Sequence, residues 1–490
     1  MDSLYLPELW DEGVRAWEKM AGFRRDRERN KRYLYGRQWD DVIEVDGVRM
    51  TEESYLRSQG SVPLKNNLIR RLVRNVLGVW RNDFKLPRCK VRDPTEEQLA
   101  ELVNKLLECN AQSNRLIELY ARTMEEFLIS GVAVHRKSFG SLRGRMDCLT
   151  EYVHPCNFFF DSEGCDFRGW DVRLLGEIHN TTLRDAVRQF VKDESGLERL
   201  ASACGVAASD MGARVRIVEV WHEEPTLFLS WHDRSEGRII SVPEENGVTP
   251  PAGVEVTKEW RSVWRYAFLG PGGVVLDSGV SPYSHGSHPY VFKVYPYIDG
   301  EIHSFVADVI DQQRYTNRLI TLYDWVMRAS AKGVLLFPEG ALPDDADIED
   351  VADEWSRFNG VITYRAKPGV PGPEQVSNTG SHAGISDLLN IQLQMFENVS
   401  GVNSALQGRL DSSSVSGTLF NQQTRNAMTS LLDLIESYRE FVLEGTMKDA
   451  CNLLRFYSRE RMEQVAGRAL ADLRGRDLSR FMAPNLDFGF

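Results

Sequence analysis

Apolar positions recur every three or four residues through much of this chain, and give way to alternation in one central stretch. Leu9, Trp10, Val14 and Trp17 fall on one helical face near the start. Leu68, Leu72, Val76 and Val79 do the same between Leu64 and Asn82, on a helix studded with Arg70, Arg71, Arg74 and Arg81. After the acidic helix start Pro94-Thr95-Glu96-Glu97, apolar residues run from Leu99 through Leu128 and stop at Gly131. From Arg214 to Tyr297 the pattern predicts short strands: Val215 to Trp221, Leu227 to Trp231, Arg238 to Val242, Trp260 to Phe268 and Val274 to Leu276. Tyr290 to Tyr295 alternates as a last strand, and Glu244 to Pro251 reads as a protruding loop.

Two long helices dominate the C-terminal part of the chain. The first is expected from Glu301 to Lys332, with Phe305, Val309, Gln312, Thr316, Leu319, Tyr323 and Val326 on one stripe and charged residues on the outer faces. A short strand at Val334 to Phe337, a Pro- and Gly-rich connection at Pro368 to Pro373 and a helix from Ile385 to Val399 lead to a polar turn. That turn, Ser400 to Gly417, is crowded with small and polar residues that resist helix propagation. From Thr418 the helical pattern resumes through Phe420, Thr424, Ala427, Leu431, Leu434, Tyr438 and Phe441, flanked by Met428, Leu432, Ile435 and Val442. Continued to Ser458, with Gly445 as its weak point, this helix would span on the order of 60 Å.

Composition narrows the class. With 490 residues, 42% hydrophobic and 27% charged, the chain has the balance of a folded protein with a large core. No apolar run reaches the roughly 20 residues of a membrane span. The first residues lack the basic and apolar segments of a signal peptide, so synthesis in the cytoplasm is expected. Seven cysteines without Cys-x-x-Cys spacing fit reduced packing thiols. A net charge of -12 argues against gripping DNA through phosphate neutralisation, although it suits a surface that a polyanion must slide past. The basic run Arg24 to Arg32 reads as a solvated helix face, with a patch for a partner or nucleic acid as the alternative; Tyr35-Gly36-Arg37-Gln38-Trp39 reads as a glycine C-cap packed by a tryptophan.

Candidate chemistry is sparse. There is no phosphate-binding Gly-x-x-x-x-Gly-Lys loop, no His-Glu-x-x-His and no Gly-x-Ser-x-Gly elbow. His154, Cys156, Asp161 and Cys165 match no closed zinc spacing, and His285, His288 and His303 read as ordinary histidines. Asp344, Asp345, Asp347, Glu349 and Asp350 lack the glycine of a calcium loop and read as an acidic helix start. No metal, no cofactor and no catalytic residue is expected.

The order of these elements resembles the portal proteins of tailed bacteriophages, of the short-tailed phage type. The resemblance rests on Tyr35 to Trp39, the helix ending Val76-Leu77-Gly78-Val79-Trp80-Arg81-Asn82, Gly131 to Val134 and Val153-His154-Pro155 to Asp161. It continues through Val215 to Trp221, Asp311-Gln312-Gln313-Arg314-Tyr315-Thr316-Asn317, Ser400-Gly401-Val402, Gln407-Gly408 and the helix entry Ser416-Gly417-Thr418.

The resemblance implies an α+β, mainly helical portal fold that forms a ring, usually of twelve subunits, at one capsid vertex of the virion, assembled in the host cytoplasm. It implies a structural protein rather than an enzyme. Its regions would be an N-terminal wing (1–180), a β-rich clip with an adjoining stem segment (181–300), a stem helix (301–332), a wing return (333–399), a tunnel loop (400–417), a tunnel helix (418–458) and a short crown (459–490). Asn403, Gln407, Arg409, Ser412, Ser413 and Ser414 would then face double-stranded DNA in the channel, with Arg409 as the phosphate contact. Glu244, Glu245 and Asn246 would lie on the clip that docks the terminase large subunit and the tail adaptor or head-completion protein. The major capsid protein and a scaffold are further implied partners, and no membrane is involved. A ring of twelve would carry about -144, consistent with a channel that repels its cargo. The rival classes are another head–tail connector, usually a shorter chain, and a soluble metal-dependent enzyme built on the acidic cluster.

Overall fold

The helical periodicities at the N-terminus and the alternation in the middle both become regular structure in the computed structural model, giving a mixed α+β architecture that is mainly helical, with sheets that do not close into a barrel. It describes residues 2–489 except 92–96, 143, 162–165, 167, 192, 234–237, 252–253, 299, 333, 343–346, 357–359, 367, 370, 377–381, 403–428 and 469–485. The main helices are α1 (Asp2–Lys19), α2 (Ala21–Leu34), α3 (Glu52–Ser58), α4 (Leu68–Asp83), α5 (Glu97–Ser113), α6 (Leu116–Ser130), α7 (Ala307–Lys332), α8 (His382–Ser400) and α9 (Leu432–Phe456). The main strands are β1 (Val132–Leu142), β2 (Arg145–Tyr152), β3 (Phe158–Phe160), β4 (Leu174–Thr182), β5 (Arg214–Asp233), β6 (Arg238–Pro243), β7 (Val256–Gly270), β8 (Val274–Val280) and β9 (Tyr290–Val294). Two units form, neither contiguous in sequence: 1–31, 73–307 and 405–490 make one, and 32–72 and 308–404 the other.

The larger unit holds two antiparallel sheets. One runs β8-β7-β5-β4-β3, with β6 added to β5; the other runs β9-β1-β2. Phe158, Phe159, Leu175, Ile178, Val218 and Val220 are buried on the first sheet and pack with Leu9 of α1. Gly13 lets that helix approach: a Cβ there would meet Val220, Phe159 and Val218 at 3.1–3.2 Å. Each such fully buried side chain contributes about 1.5–3 kcal/mol of burial free energy. The turn from α6 into β1 uses Gly131 at φ +77°, where the carbonyl of His303 leaves no room for a side chain.

Helix α9 buries the stripe that periodicity predicted. Leu434, Ile435, Tyr438, Phe441 and Val442 are inside, and Tyr438 donates to the Tyr120 carbonyl at 2.6 Å. The expected first eleven residues of this helix, 418–428, lie outside the described residues. Gly445 is not a break: it sits where α9 passes closest to β1, 3.2 Å from Tyr120 Oη and 3.3 Å from Lys137 Cε when a Cβ is built.

The smaller unit is knitted by amides. Gln313 of α7 accepts from Leu68 N at 2.9 Å and Ile69 N at 3.3 Å, supplying partners for the open N-terminal turn of α4, and donates to the Asn66 carbonyl at 2.6 Å. Asn317 accepts from Asn66 N and donates to Gln38, which donates in turn to the Tyr33 carbonyl. The Tyr35-to-Trp39 turn is the expected cap: Gly36 has φ +83°, Arg37 N reaches back to Arg32 O at 2.8 Å and Trp39 is buried.

Three expectations change. The two strands predicted at 215–221 and 227–231 are one 20-residue strand, β5. Pro225 interrupts neither half, because it falls between the last residue paired to β4, His222, and the first paired to β6, Phe228, on an edge that tolerates a missing N–H. The helix expected from Glu301 begins at Ala307, because Glu301–Ile302 pairs with Tyr297–Ile298 and Ser304 Oγ accepts from Ala307 N at 3.1 Å as a cap. The basic run on α2 is not wholly solvated. Arg27 is buried in a bidentate pair with Glu126 at 2.8 and 2.9 Å, which overcomes burial and raises its pKa.

Candidate docking ribbon and channel segment

Strand β5 is long enough to leave the core. Its first half is flanked by β4 and β7, and its second half by β6 and β7, forming a three-stranded ribbon. At strand rise, 20 residues extend on the order of 65 Å. Along β7 the change is explicit: residues 256–262 are exposed, and burial begins at Val263 and Trp264. Trp260 is 68% exposed and Ile239 71%, while Arg261 lies over the Phe228 ring at 5.2 Å. Ser230 and Ser241 hydrogen-bond across the β5–β6 pair at 2.8 Å.

Glu244, Glu245 and Asn246 form a single 3₁₀ turn after β6, closed by Gly247 at φ +65°. Glu244 pairs with Lys258 at 2.7 Å and Glu245 with Arg265 at 2.5 Å, and Arg265 also reaches Glu224 at 2.8 Å. These are partly exposed pairs, which hold the turn against β7 with little net energy. Such contacts are easily exchanged for those of a partner.

The channel candidates Asn403, Gln407, Arg409, Ser412, Ser413 and Ser414 lie outside the described residues. The chain enters that segment through a capped helix end: Ser400 Oγ accepts from Val402 N at 3.3 Å, and Gly401 takes φ +68°.

Spacing missed one constellation. Glu177 and His179 alternate on β4, and Glu219 of β5 stands directly opposite Glu177, so ligating atoms of all three lie within 4.8 Å of one another. Like charges opposed across strands need compensation. Glu219 accepts from Trp221 Nε1 at 2.8 Å and His179 Nε2 at 2.9 Å, and Arg136 lies 3.1 Å away. Burial alone would raise the Glu219 carboxyl, but Arg136 and the two donors bring it down to about 2. Arg136 therefore already fills the cation's place. The spacing Glu177-x-His179 can be read in the sequence, but neither the strand that carries it nor the register that brings Glu219 opposite was expected.

Several of the other chemical candidates are engaged in local contacts. His154 Nδ1 accepts from Cys156 N, and Cys165 lies outside the described residues. His285 Nδ1 accepts from Ser287 N, and burial, with Lys448 nearby, lowers its pKa to about 3. Asp344 and Asp345 are outside the described residues, while Asp350 turns back to accept from Asp347 N at 3.0 Å.

No curated protein matches this chain. Among protein families, the model described as "Phage P22-like portal protein" matches residues 11–470. The match takes in the ribbon, both long helices and residues 403–428, and the chain belongs to the phage P22-like portal protein family.

Proposed function

We propose that this portal protein assembles as a ring, usually of twelve copies, at one capsid vertex, and conducts double-stranded DNA into the head during packaging and out of it during ejection. The observation that carries the reading is the family match over residues 11–470. A portal is a structural phage component, so the chain is not an enzyme. The distal ribbon of β5, β6 and β7 supports a docking role for the clip: it carries exposed Trp260 and Ile239 beside exchangeable ion pairs. Glu244, Glu245 and Asn246 are its turn toward the terminase large subunit and the tail adaptor. In this reading Asn403, Gln407, Arg409, Ser412, Ser413 and Ser414 face the DNA without sequence preference, because polar side chains and one guanidinium meet phosphate but read no base edge.

The test is complementation of a phage lacking this chain. The wild-type chain should restore DNA-filled heads. Deletion of Ser412 to Ser414 should leave rings intact and reduce packaged or retained DNA. Unaltered packaging by the deletion variant would remove the DNA-contacting role from this segment.

A further inference from the structure

The smaller unit carries two apolar surfaces of complementary form. On α8, Leu388, Ile391, Met395 and Val399 succeed one another at steps of three, four and four residues, and therefore share a face. Each is about half exposed, whereas Gln392 and Phe396 on the other side of the helix are buried. Four exposed apolar side chains in one row form a patch of the kind that marks an interaction site.

The concave counterpart is a pocket of about 370 Å³ between α7 and the segment that includes α3. Trp39, Tyr55, Leu56, Leu322 and Trp325 line it, and Leu322 and Trp325 are about half exposed. Its charged lining residues are Glu52 and Arg318. Glu52 Oε1 accepts from both Arg314 at 2.7 Å and Arg318 at 2.9 Å, so Arg318 shares its carboxylate with a second guanidinium and remains 56% exposed. Asp387, exposed and four residues before Ile391, borders the apolar row on α8.

We infer that the α8 row of one copy seats in the Trp39–Trp325 pocket of the next copy, with Asp387 of the row meeting Arg318 of the rim. This inference rests on the ring reading and names its seam. A helix face laid into an apolar groove is a recurrent mode of recognition. Because row and pocket occur on the same unit, and are different surfaces, the contact is head-to-tail, the type that closes into rings. A carboxylate for the exposed Arg318, which shares Glu52 with Arg314, comes from the same helix that supplies the apolar row, and this selects a second copy over an unrelated apolar partner.

The experiment measures ring formation against protomer concentration by mass photometry, for wild type, Ile391→Asp, Arg318→Asp, Asp387→Arg and the double variant Arg318→Asp/Asp387→Arg. Ile391→Asp and each charge variant should raise the concentration needed for half-assembly by about tenfold or more. The double variant should recover most of that loss. Circular dichroism melting of each protomer keeps assembly defects apart from unfolding; if Ile391→Asp melts early, Ile391→Ser replaces it. Rings that form equally well with the altered row, or a double variant no better than its worse parent, would overturn the seam while leaving the ring intact. A wild-type chain that stays monomeric at every concentration would overturn the ring reading and the seam together.

Discussion

The buried ion pairs of the larger unit and the exposed ones on its ribbon use the same residue types to opposite ends. Lys137 of β1 and Asp449 of α9 are both inside, with Lys137 Nζ 2.5 Å from Asp449 and 2.9 Å from Thr150 Oγ1. Burial pulls the Lys137 ammonium down, but Asp449 and Tyr120 more than offset it and leave its pKa raised. Lys448, one residue before Asp449, donates to the carbonyls of His288 and Tyr290. These groups fix the rotation of α9 against both β1 and β9, because a slip would leave a charge buried without its partner. On the ribbon, Glu244 and Lys258 are both exposed, so a lost partner there is replaced by solvent, and Glu245 faces solvent although its partner Arg265 is only 16% exposed. The contrast separates pairs that lock one packing arrangement from pairs that solvent can replace.

The comparison can be broken at its strongest point first. Asp449→Ala should destabilise the protein by about 3–5 kcal/mol, since it strands a buried ammonium. Replacing both members, Lys137→Met with Asp449→Leu, should cost less than that single change, and urea denaturation of the three proteins checks the order. A smaller loss, about 1–3 kcal/mol, is expected for Gln313→Ala, which leaves Leu68 N, Ile69 N and the Asn66 carbonyl without their side-chain partner. At the ribbon, Glu244→Gln and Glu245→Gln should each move stability by less than about 1 kcal/mol. If these exposed changes cost as much as Asp449→Ala, the distinction between the two regions fails.

The His179–Glu219 pair sharpens the comparison through pH. Burial would lower the His179 pKa, but the Glu219 hydrogen bond and the carboxylates of Glu219 and Glu177 raise it. Its contribution is therefore fully present below the ordinary histidine value of about 6.5 and is lost as pH rises through the raised folded value. Glu219 acts in the other direction: its contribution is present above the ordinary carboxylate range and fades as pH falls toward about 2. The urea midpoint of wild type should exceed that of His179→Gln most between about pH 5 and 6.5, and the gap should close above that range. A gap that widens with pH would contradict the assignment.

Much of this was legible in one sequence. The α9 stripe, the Gly36 cap, the Gly131 stop and the ribbon strands follow from periods of 3.6 and 2 and from glycine's access to positive φ. Asp311 to Asn317 stood out as a motif, and the structure gives the reason: Gln313 and Asn317 are the amides that bind the α4 entry. What sequence could not supply were meetings across hundreds of residues. Lys137 with Asp449, Arg27 with Glu126 and Arg136 with Glu219 depend on register and packing rather than on local spacing. Arg27 in particular looked like one solvated cation among several, because composition does not reveal which member of a basic run turns inward. The single strand β5 was expected as two for a related reason, since the open edge beside Pro225 is known only once β4 and β6 are placed. Of the candidate residues, Glu244 to Asn246 form a turn, as their loop chemistry suggested, while the pairing of Glu244 with Lys258 and of Glu245 with Arg265 required the sheet.

Negative-stain electron microscopy of the purified full chain, with class averaging, tests the central claim most directly. The account predicts ring-shaped particles with a central channel and about twelve-fold symmetry. A discrete monomer or dimer that persists at high concentration would contradict it.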